Sequence, residues 1–213
     1  YNNDRPVHGI GFGSGPAGRL PPVGPCITGI IDLRGRDELE DGMVIEEGSI
    51  PGALAGMLPK VFSTAARLTG RDTDSGLADT VAEQQREWES LIRGPYHGAV
   101  DQTQTFLVMS FDDGAGRMVL KDDRLRVKWP AAGRQPVFTR VNEALLDATR
   151  ALGGTYVPNP TWNKLLGHDL VTVHPLGGCV MAERAENGVV DHAGRVFAGT
   201  TGAEVHPGLA VLD

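Results

Sequence analysis

The segment from Leu170 to Cys179 constrains the chain most, because an apolar, β-branched run leads directly into His-Pro and then a glycine pair. Pro175 fixes its own φ angle and favours an extended His174, while Gly177 and Gly178 carry no Cβ atoms. The pattern predicts a buried strand that delivers His174 to a tight turn, where a ligand can approach the backbone closely. We predict that this ligand is flat.

Composition and charge narrow the class of protein. The chain has 213 residues, of which 40% are hydrophobic and 22% charged, as is typical of a globular protein with a buried core. Its net charge is -7, and its 20 Lys and Arg are dispersed among 27 Asp and Glu, so we predict no nucleic-acid partner. No apolar run approaches the ~20 residues that span a bilayer, and the histidines and cysteines lack metal-ligand spacing. We predict no transmembrane segment and no metal site.

The first 25 residues are rich in Gly and Pro, and this composition predicts irregular loop. Within them, residues 13–18 match the dinucleotide pattern GxGxxG. That pattern binds a pyrophosphate when a buried strand precedes it and a helix N-terminus follows it, and the proline-rich residues 21–25 do not start a helix. We interpret the match as coincidental.

Two adjacent carboxylates stand out in the next part of the chain. Residues 26–33 have the pattern of a buried strand, and residues 42–51 have that of a second strand paired with it. Glu46 and Glu47 follow three apolar residues of the second strand, and the alternation of a strand sends them to opposite faces. A glutamate that faces an apolar pocket is a usable proton acceptor, which makes Glu46 a candidate base. The sequence does not choose between Glu46 and Glu47.

Three segments have helical periodicity. Residues 53–68, which Pro59 divides, and residues 136–152, which end at Gly153, carry apolar stripes. A third helix is predicted from a cap at Asp79 to Arg93. We interpret the stripe of the first helix as core packing, and the wall or lid of an apolar pocket is the alternative.

The remaining strand signals complete the predicted fold. Residues 102–111, 117–120 and 124–129 predict an antiparallel meander joined by short turns. Residues 188–198 predict two further short strands, and residues 209–212 predict a last buried strand. Together these elements predict an α+β fold, in which helices cover one face of an antiparallel sheet.

The His174–Cys179 motif resembles the C-terminal signature of the glucose-methanol-choline flavin oxidoreductases, and within that family it is most similar to the bacterial cholesterol oxidases. In those enzymes a glutamate lies five residues before a proline at the end of a substrate-domain strand, as Glu46 does before Pro51 here. The predicted strands and the helix within residues 117–152 also fall where that family places them.

The resemblance implies an FAD-dependent enzyme that oxidises a sterol or another bulky apolar alcohol. It makes His174 the hydrogen-bond partner of the substrate hydroxyl and Glu46 the base that moves protons near the steroid ring. Residues 191–199 would belong to the flavin-binding layer. The cofactor-contacting positions that it implies are Pro175, Gly177, Gly178 and Asp213.

The chain also departs from the family pattern. Family members carry a true GxGxxG βαβ unit near the N-terminus and a Gly-x-Asn-Pro segment after the last strand, and this sequence has neither. We therefore expect a fragment of a longer enzyme, inactive by itself. Its predicted parts are residues 1–25 as an irregular segment against the FAD domain, residues 26–169 as the substrate-binding domain, and residues 170–213 as a remnant of the FAD domain.

Two alternatives stay open. The parent enzyme could act on a sugar, choline or an aliphatic alcohol, with Glu46 incidental to the reaction. A large apolar cavity would favour a sterol, and a small polar one would favour this alternative. The chain could instead be a non-catalytic module that binds a sterol or another lipid.

Overall fold

The computed structural model describes residues 5–12, 27, 29–48, 52–73, 76–173 and 177–211. The fold is mixed α+β with antiparallel sheets, as the sequence predicts. The chain divides into two compact units. We call Arg5–Asp112 with Ala131–Val173 the sheet unit, and Tyr1–Asp4, Asp113–Pro130 and His174–Asp213 the hairpin unit.

The described helices all lie in the sheet unit. They are α1 (Leu58–Thr69), α2 (Leu77–Arg93), α3 (Gly98–Asp101) and α4 (Pro136–Leu152). Pro59 lies in the first turn of α1, where its missing N–H group costs no helical hydrogen bond, and a 3₁₀ turn at Gly52–Met57 precedes it. Gly153 ends α4 with a φ of 69°. The predicted cap at Asp79 is wrong, because α2 already begins at Leu77.

Seven strands form the sheet of the sheet unit, in the order β2-β3-β5-β1-β8-β4 with β9 pairing with β1. These strands are β1 (Arg5–Phe12), β2 (Ile30–Asp32), β3 (Met43–Gly48), β4 (Arg71–Asp72), β5 (Gln104–Ser110), β8 (Thr155–Pro158) and β9 (Thr172–Val173). Every pairing between them is antiparallel. The predicted pairing of β2 with β3 is confirmed.

Strand β1 corrects the prediction that residues 1–25 are irregular throughout. Arg5–Phe12 lies between β5 and β8 and pairs with both. Hydrogen bonding from both sides therefore overrides the weak local strand preference of its glycines. The strand signal of residues 26–33 was right about pairing but wrong about burial, because β2 is an exposed edge strand.

Two apolar clusters lie on opposite faces of this sheet. On one face, α4 contributes Val141 and Leu145 to a cluster that includes Tyr156 of β8. On the other, Phe62 of α1 belongs to a cluster with Val157, the next residue of β8. Successive strand residues point to opposite faces, so helices cover both. The prediction of helices on one face is wrong.

The predicted meander is also wrong at its first turn. Strand β5 pairs with β3 and β1, whereas β6 (Arg117–Lys121) pairs with β7 (Arg124–Lys128) in a separate two-stranded hairpin of the hairpin unit. Residues 112–116 therefore lead from one unit to the other. The second predicted turn is confirmed, with Asp122 and Asp123 both at a φ of 53° as a tight two-residue hairpin turn requires.

The rest of the hairpin unit consists of short strands and turns. Strand β10 (Arg195–Phe197) pairs with β11 (Val205–Ala210), and Val190 forms bridges to Met181 and Val196. The predicted buried strand at residues 209–212 is wrong in position and in burial, because β11 starts earlier and is largely exposed. The short β11 has few neighbours to cover it, since it pairs with β10 alone.

Candidate functional site

The predicted site residues fall into three groups. His174, Pro175 and Asp213 lie outside the described residues, as does the GxGxxG match at residues 13–18. Glu46 and Glu47 lie on β3 in the sheet unit. Gly177 and Gly178 belong to the hairpin unit.

The strand that leads to His174 differs from its prediction. Only Thr172–Val173 forms a strand, which pairs with Pro6 and Arg5 of β1. Val171 and Thr172 are exposed, so the approach to His174 is not the buried strand that the apolar run predicts. The two-residue ladder at the border of the sheet leaves these side chains uncovered.

The register of β3 assigns its two carboxylates to different faces of the sheet. Glu46 lies opposite Leu107 on β5 and Ile30 on β2, whereas Glu47 lies opposite Phe106. Residues paired across antiparallel strands share a face. Since Phe106 belongs to the cluster with α4, Glu47 lies on the α4 face and Glu46 on the opposite one.

An open cavity of about 320 Å³ lies at the end of the sheet beside these carboxylates. Its lining residues are Gly29, Ile30, Ile31, Ile45, Glu46, Glu47, Gln104, Phe106 and Leu152. Most of the lining side chains belong to the α4 face, and aliphatic and aromatic groups dominate them. The volume is near the lower end of the range of about 300–1,000 Å³ that is usual for small-molecule sites.

Burial separates the two glutamates further. Glu46 is only 8% exposed, whereas Glu47 is half-buried and shares the cavity face with Ile45 and Ile31. A half-buried carboxylate beside apolar walls is placed to accept a hydrogen bond from a ligand hydroxyl. Both glutamates therefore line this cavity, Glu47 from the α4 face that supplies most of its walls and Glu46 from the more buried position on the other face.

The glycine pair lines a second, larger cavity in the hairpin unit. This cavity of about 780 Å³ is bounded by residues 114–119, 177–178, 180 and 185–189. Gly177 has a φ of 77°, a conformation that favours glycine. A Cβ atom at Gly178 would lie 2.6 Å from Met118 Cε, so only glycine lets these two segments approach without displacing the methionine.

Residues 191–195, which follow the last lining residues of this cavity in the sequence, form a hydrogen-bonded turn. The Asp191 carboxylate accepts hydrogen bonds from the backbone N–H groups of Ala193 and Arg195, both at 2.9 Å, and from Arg195 Nε at 2.7 Å. These bonds, led by the Arg195 side chain, lower the pKa of Asp191 to about 2. All of its acceptor positions serve the turn, so Asp191 is a structural residue here.

Sequence reasoning missed the cavity walls rather than the polar residues. The sequence predicts only that Leu152 ends a helix and that Met118 lies in a strand, whereas the structure has both lining cavities. A strand end that carries an acidic pair opposite a helix C-terminus is the signal that could have located the first cavity. Among the described residues, no group of three potential metal ligands occurs, and no helix has the length and apolarity to cross a bilayer.

Comparisons with known proteins returned no match among protein-family models, curated proteins or solved structures.

Proposed function

We propose that this chain is the substrate-binding portion of an FAD-dependent oxidoreductase that oxidises the hydroxyl of a sterol-like alcohol. The observation that carries the proposal is the pair Glu46–Glu47 on one sheet strand, with an apolar cavity beside it. The His174–Cys179 motif supports it from the sequence. The aliphatic lining of the cavity favours an apolar alcohol over a sugar or choline, whereas its volume of about 320 Å³ does not by itself favour a sterol.

Oxidation of an alcohol requires that a hydride leaves the carbon and a proton leaves the oxygen, with formation of a carbonyl group. Bound FAD would supply the hydride acceptor. An alcohol is a weak acid, so a base near the hydroxyl must take the proton as the hydride departs. Glu46 and Glu47 are the candidate bases, and His174 is proposed to hold the hydroxyl by a hydrogen bond.

Gly177 and Gly178 are the described residues that we propose to contact the flavin ring. Both glycines line the cavity of about 780 Å³, Gly177 with a positive φ, and a flavin ring would reach the backbone of Gly178 where the flexible end of the Met118 side chain now lies. Pro175 and Asp213 are the other proposed FAD contacts, by resemblance alone.

The first test uses the natural polypeptide that carries this sequence. We expect the purified protein to show the visible absorption of bound flavin, and we expect sterol to bleach that absorption under anaerobic conditions. A folded protein without flavin absorption, even after addition of FAD, would refute the proposal. Bleaching by choline or a sugar, but not by sterol, would show that the substrate is a small polar alcohol and not a sterol.

A matched pair of variants separates the two carboxylates. Glu46→Gln and Glu47→Gln each remove one negative charge at nearly constant volume, on opposite faces of β3. Loss of a proton acceptor typically lowers turnover by about 10²–10⁴-fold, while flavin stays bound. We expect that loss in one variant and near-normal turnover in the other. Normal turnover in both variants would show that neither glutamate of β3 is the base.

A non-catalytic lipid-binding module is the second candidate, because the apolar cavity lies entirely within the sheet unit. Such a module would bind a fluorescent sterol without FAD. Leu152→Gln, at the cavity wall, should weaken that binding, whereas Leu165→Gln, on an exposed loop, should not. Tight binding by a protein that never takes up flavin would favour this candidate over the enzyme.

A further inference from the structure

The hairpin of β6 and β7 divides its side chains between two chemically opposite faces. The register pairs Met118 with Val127 and Leu120 with Leu125, so these four apolar side chains share one face. The opposite face carries Arg117, Val119, Lys121, Arg124, Arg126 and Lys128. The prediction that cations are dispersed along this chain therefore fails locally, because five of them cluster on one ladder.

The like charges on the cationic face destabilise the hairpin itself. Arg117 lies directly opposite Lys128, and Lys121 directly opposite Arg124. Like charges opposite each other destabilise a strand pair. Within the described parts of the chain, none of the five cations forms an ion pair. A bound anionic partner would relieve this repulsion.

The hairpin also opposes the charge of the whole chain. Its five cations and two turn aspartates, Asp122 and Asp123, give residues 117–128 a net charge of +3, whereas the net charge of the chain is -7. The aspartates lie at the turn, beyond the ladder of cations. An anionic surface is therefore attracted by the hairpin more strongly than by the chain as a whole.

Apart from Met118, whose Cε lies beside Gly178, the apolar face is open as well. Leu120 is 75% exposed, Leu125 64% and Val127 50%. Removal of such aliphatic side chains from water is energetically favourable. A nucleic acid or a soluble polyanion would engage the cations and leave these leucines in water. The partner that accommodates both faces has an apolar layer below a layer of negative charge.

We propose that the β6–β7 hairpin binds the surface of a lipid bilayer that contains anionic headgroups. Leu120, Leu125 and Val127 enter the boundary between headgroups and acyl chains, and the long Arg and Lys side chains extend into the headgroup layer. There they contact phosphate and carboxylate groups. The proposal goes beyond the oxidoreductase function and does not depend on it.

The test measures sedimentation of the intact chain with vesicles of phosphatidylcholine, alone or mixed with phosphatidylserine. We expect binding to the mixed vesicles that weakens as salt rises, together with slower hydrogen exchange at residues 117–128. Equal binding to both vesicle types, no binding, or exchange protection elsewhere but not in the hairpin would overturn the proposal.

Two variants with a matched control resolve the roles of the faces. Combined Arg124→Gln, Arg126→Gln and Lys128→Gln should weaken binding to mixed vesicles on the order of tenfold or more. Combined Arg36→Gln, Lys60→Gln and Lys164→Gln removes the same charge from exposed positions of the sheet unit and should change binding little. An equal loss in both triple variants would refute a role for the hairpin.

The apolar face is tested by combined Leu120→Ser and Leu125→Ser, which leaves every charge in place. We expect it to lose vesicle binding while retaining any binding to a single-stranded oligonucleotide. Undiminished vesicle binding would overturn the insertion of this face, and tight oligonucleotide binding without vesicle binding would identify a nucleic acid as the partner instead. Hydrogen exchange at residues 189–197 of each variant confirms that the hairpin unit is folded.

Discussion

In the sheet unit, nine buried side chains from the sheet and α4 form one continuous apolar cluster, and a second cluster lies on the other face. In the described part of the hairpin unit, Val190 and Phe197 are the only buried large hydrophobic residues. That unit is held mainly by backbone hydrogen bonds of turns and bridges and by the Asp191–Arg195 ion pair. The two units should therefore respond to different substitutions.

This difference follows from how much apolar area each unit buries. A helix packed on a sheet buries apolar area continuously, and each buried methylene adds about 0.8 kcal/mol. Short two-stranded pieces expose both faces, so they depend on local hydrogen bonds that contribute about 1 kcal/mol each. A site in the sheet unit is therefore supported by a packed core, whereas the cavity at Gly177–Gly178 depends on turns.

The largest effect is expected for Leu145→Ala in the sheet unit. Leu145 is completely buried among α4 and sheet side chains, so its truncation leaves a cavity and should cost about 2–5 kcal/mol of unfolding free energy. Urea unfolding measures the change. Leu165→Ala, at a residue 96% exposed, is the control. Equal effects of the two variants would contradict the view of the sheet unit as core-stabilised.

A smaller effect is expected for Gly188→Ala in the hairpin unit. A Cβ atom there would lie 2.5 Å from the carbonyl oxygen of Val180, which accepts the N–H groups of Val189 and Val190. The strain should cost about 1–3 kcal/mol. Hydrogen exchange at those two amides should accelerate, with exchange in the sheet unit unchanged. Gly199→Ala, where the nearest atom is 3.8 Å away, should leave both units unaltered.

The same contrast explains what the sequence predicts well. The strong helical period of residues 136–152 and the paired strand signal of residues 42–51 both produced elements of the sheet unit nearly at the predicted bounds. In these segments local preference and burial agree. The turn at Asp122 and Asp123 was equally clear, since a tight hairpin turn is a local structure.

The failures occur where distant pairing decides the structure. No local signal marks Arg5–Phe12 as a central strand, because its glycines acquire order only from β5 and β8. The predicted pairing of β5 with β6 is likewise wrong, since β5 pairs with β3 and β1 and not with β6, which is nearer in sequence. Of the candidate site, the sequence located the carboxylate pair. It did not determine which face each carboxylate occupies, since that depends on the cross-strand register.

Removal of one buried hydroxyl tests the polar detail of the main core. The Tyr156 hydroxyl donates a 2.6 Å hydrogen bond to Asn142 Oδ1, and burial raises the pKa of Tyr156 well above its usual value. Tyr156→Phe should cost about 0.5–1.5 kcal/mol in urea unfolding. The exposed Tyr96 provides the control substitution to Phe. A stabilised Tyr156→Phe variant would show that the bond contributes less than its desolvation costs.

The raised pKa also has a consequence in alkali. A tyrosine that is protonated more strongly in the folded state stabilises the fold below its unfolded pKa of about 10, and this contribution disappears as the pH rises toward the folded value. Unfolding free energy should therefore fall with pH in that range for the natural chain and fall less for Tyr156→Phe. Parallel pH profiles would contradict the assignment.

The smallest effect is expected for Asp191→Asn, and it should be present at neutral pH and disappear in acid. The folded pKa of Asp191 is about 2, below the unfolded value of about 3.9, so its contribution is present above pH ~4 and is lost as the pH falls through about 2. Hydrogen exchange at residues 189–197 should therefore accelerate with acid in the natural chain beyond the intrinsic pH dependence. In Asp191→Asn it should already be fast at neutral pH and show no further loss of protection.

Asp32→Asn is the matched control for this prediction, because the Arg34 side chain also holds the pKa of Asp32 at about 2. Asp32 lies at the exposed edge of the sheet unit, whose core does not depend on that ion pair. Its substitution should leave acid exchange in residues 189–197 unchanged. If Asp32→Asn altered that exchange as strongly as Asp191→Asn, the acid sensitivity would come from the net charge of the chain. In that case the Asp191–Arg195 ion pair would stabilise the hairpin unit no more specifically than the Asp32–Arg34 pair does.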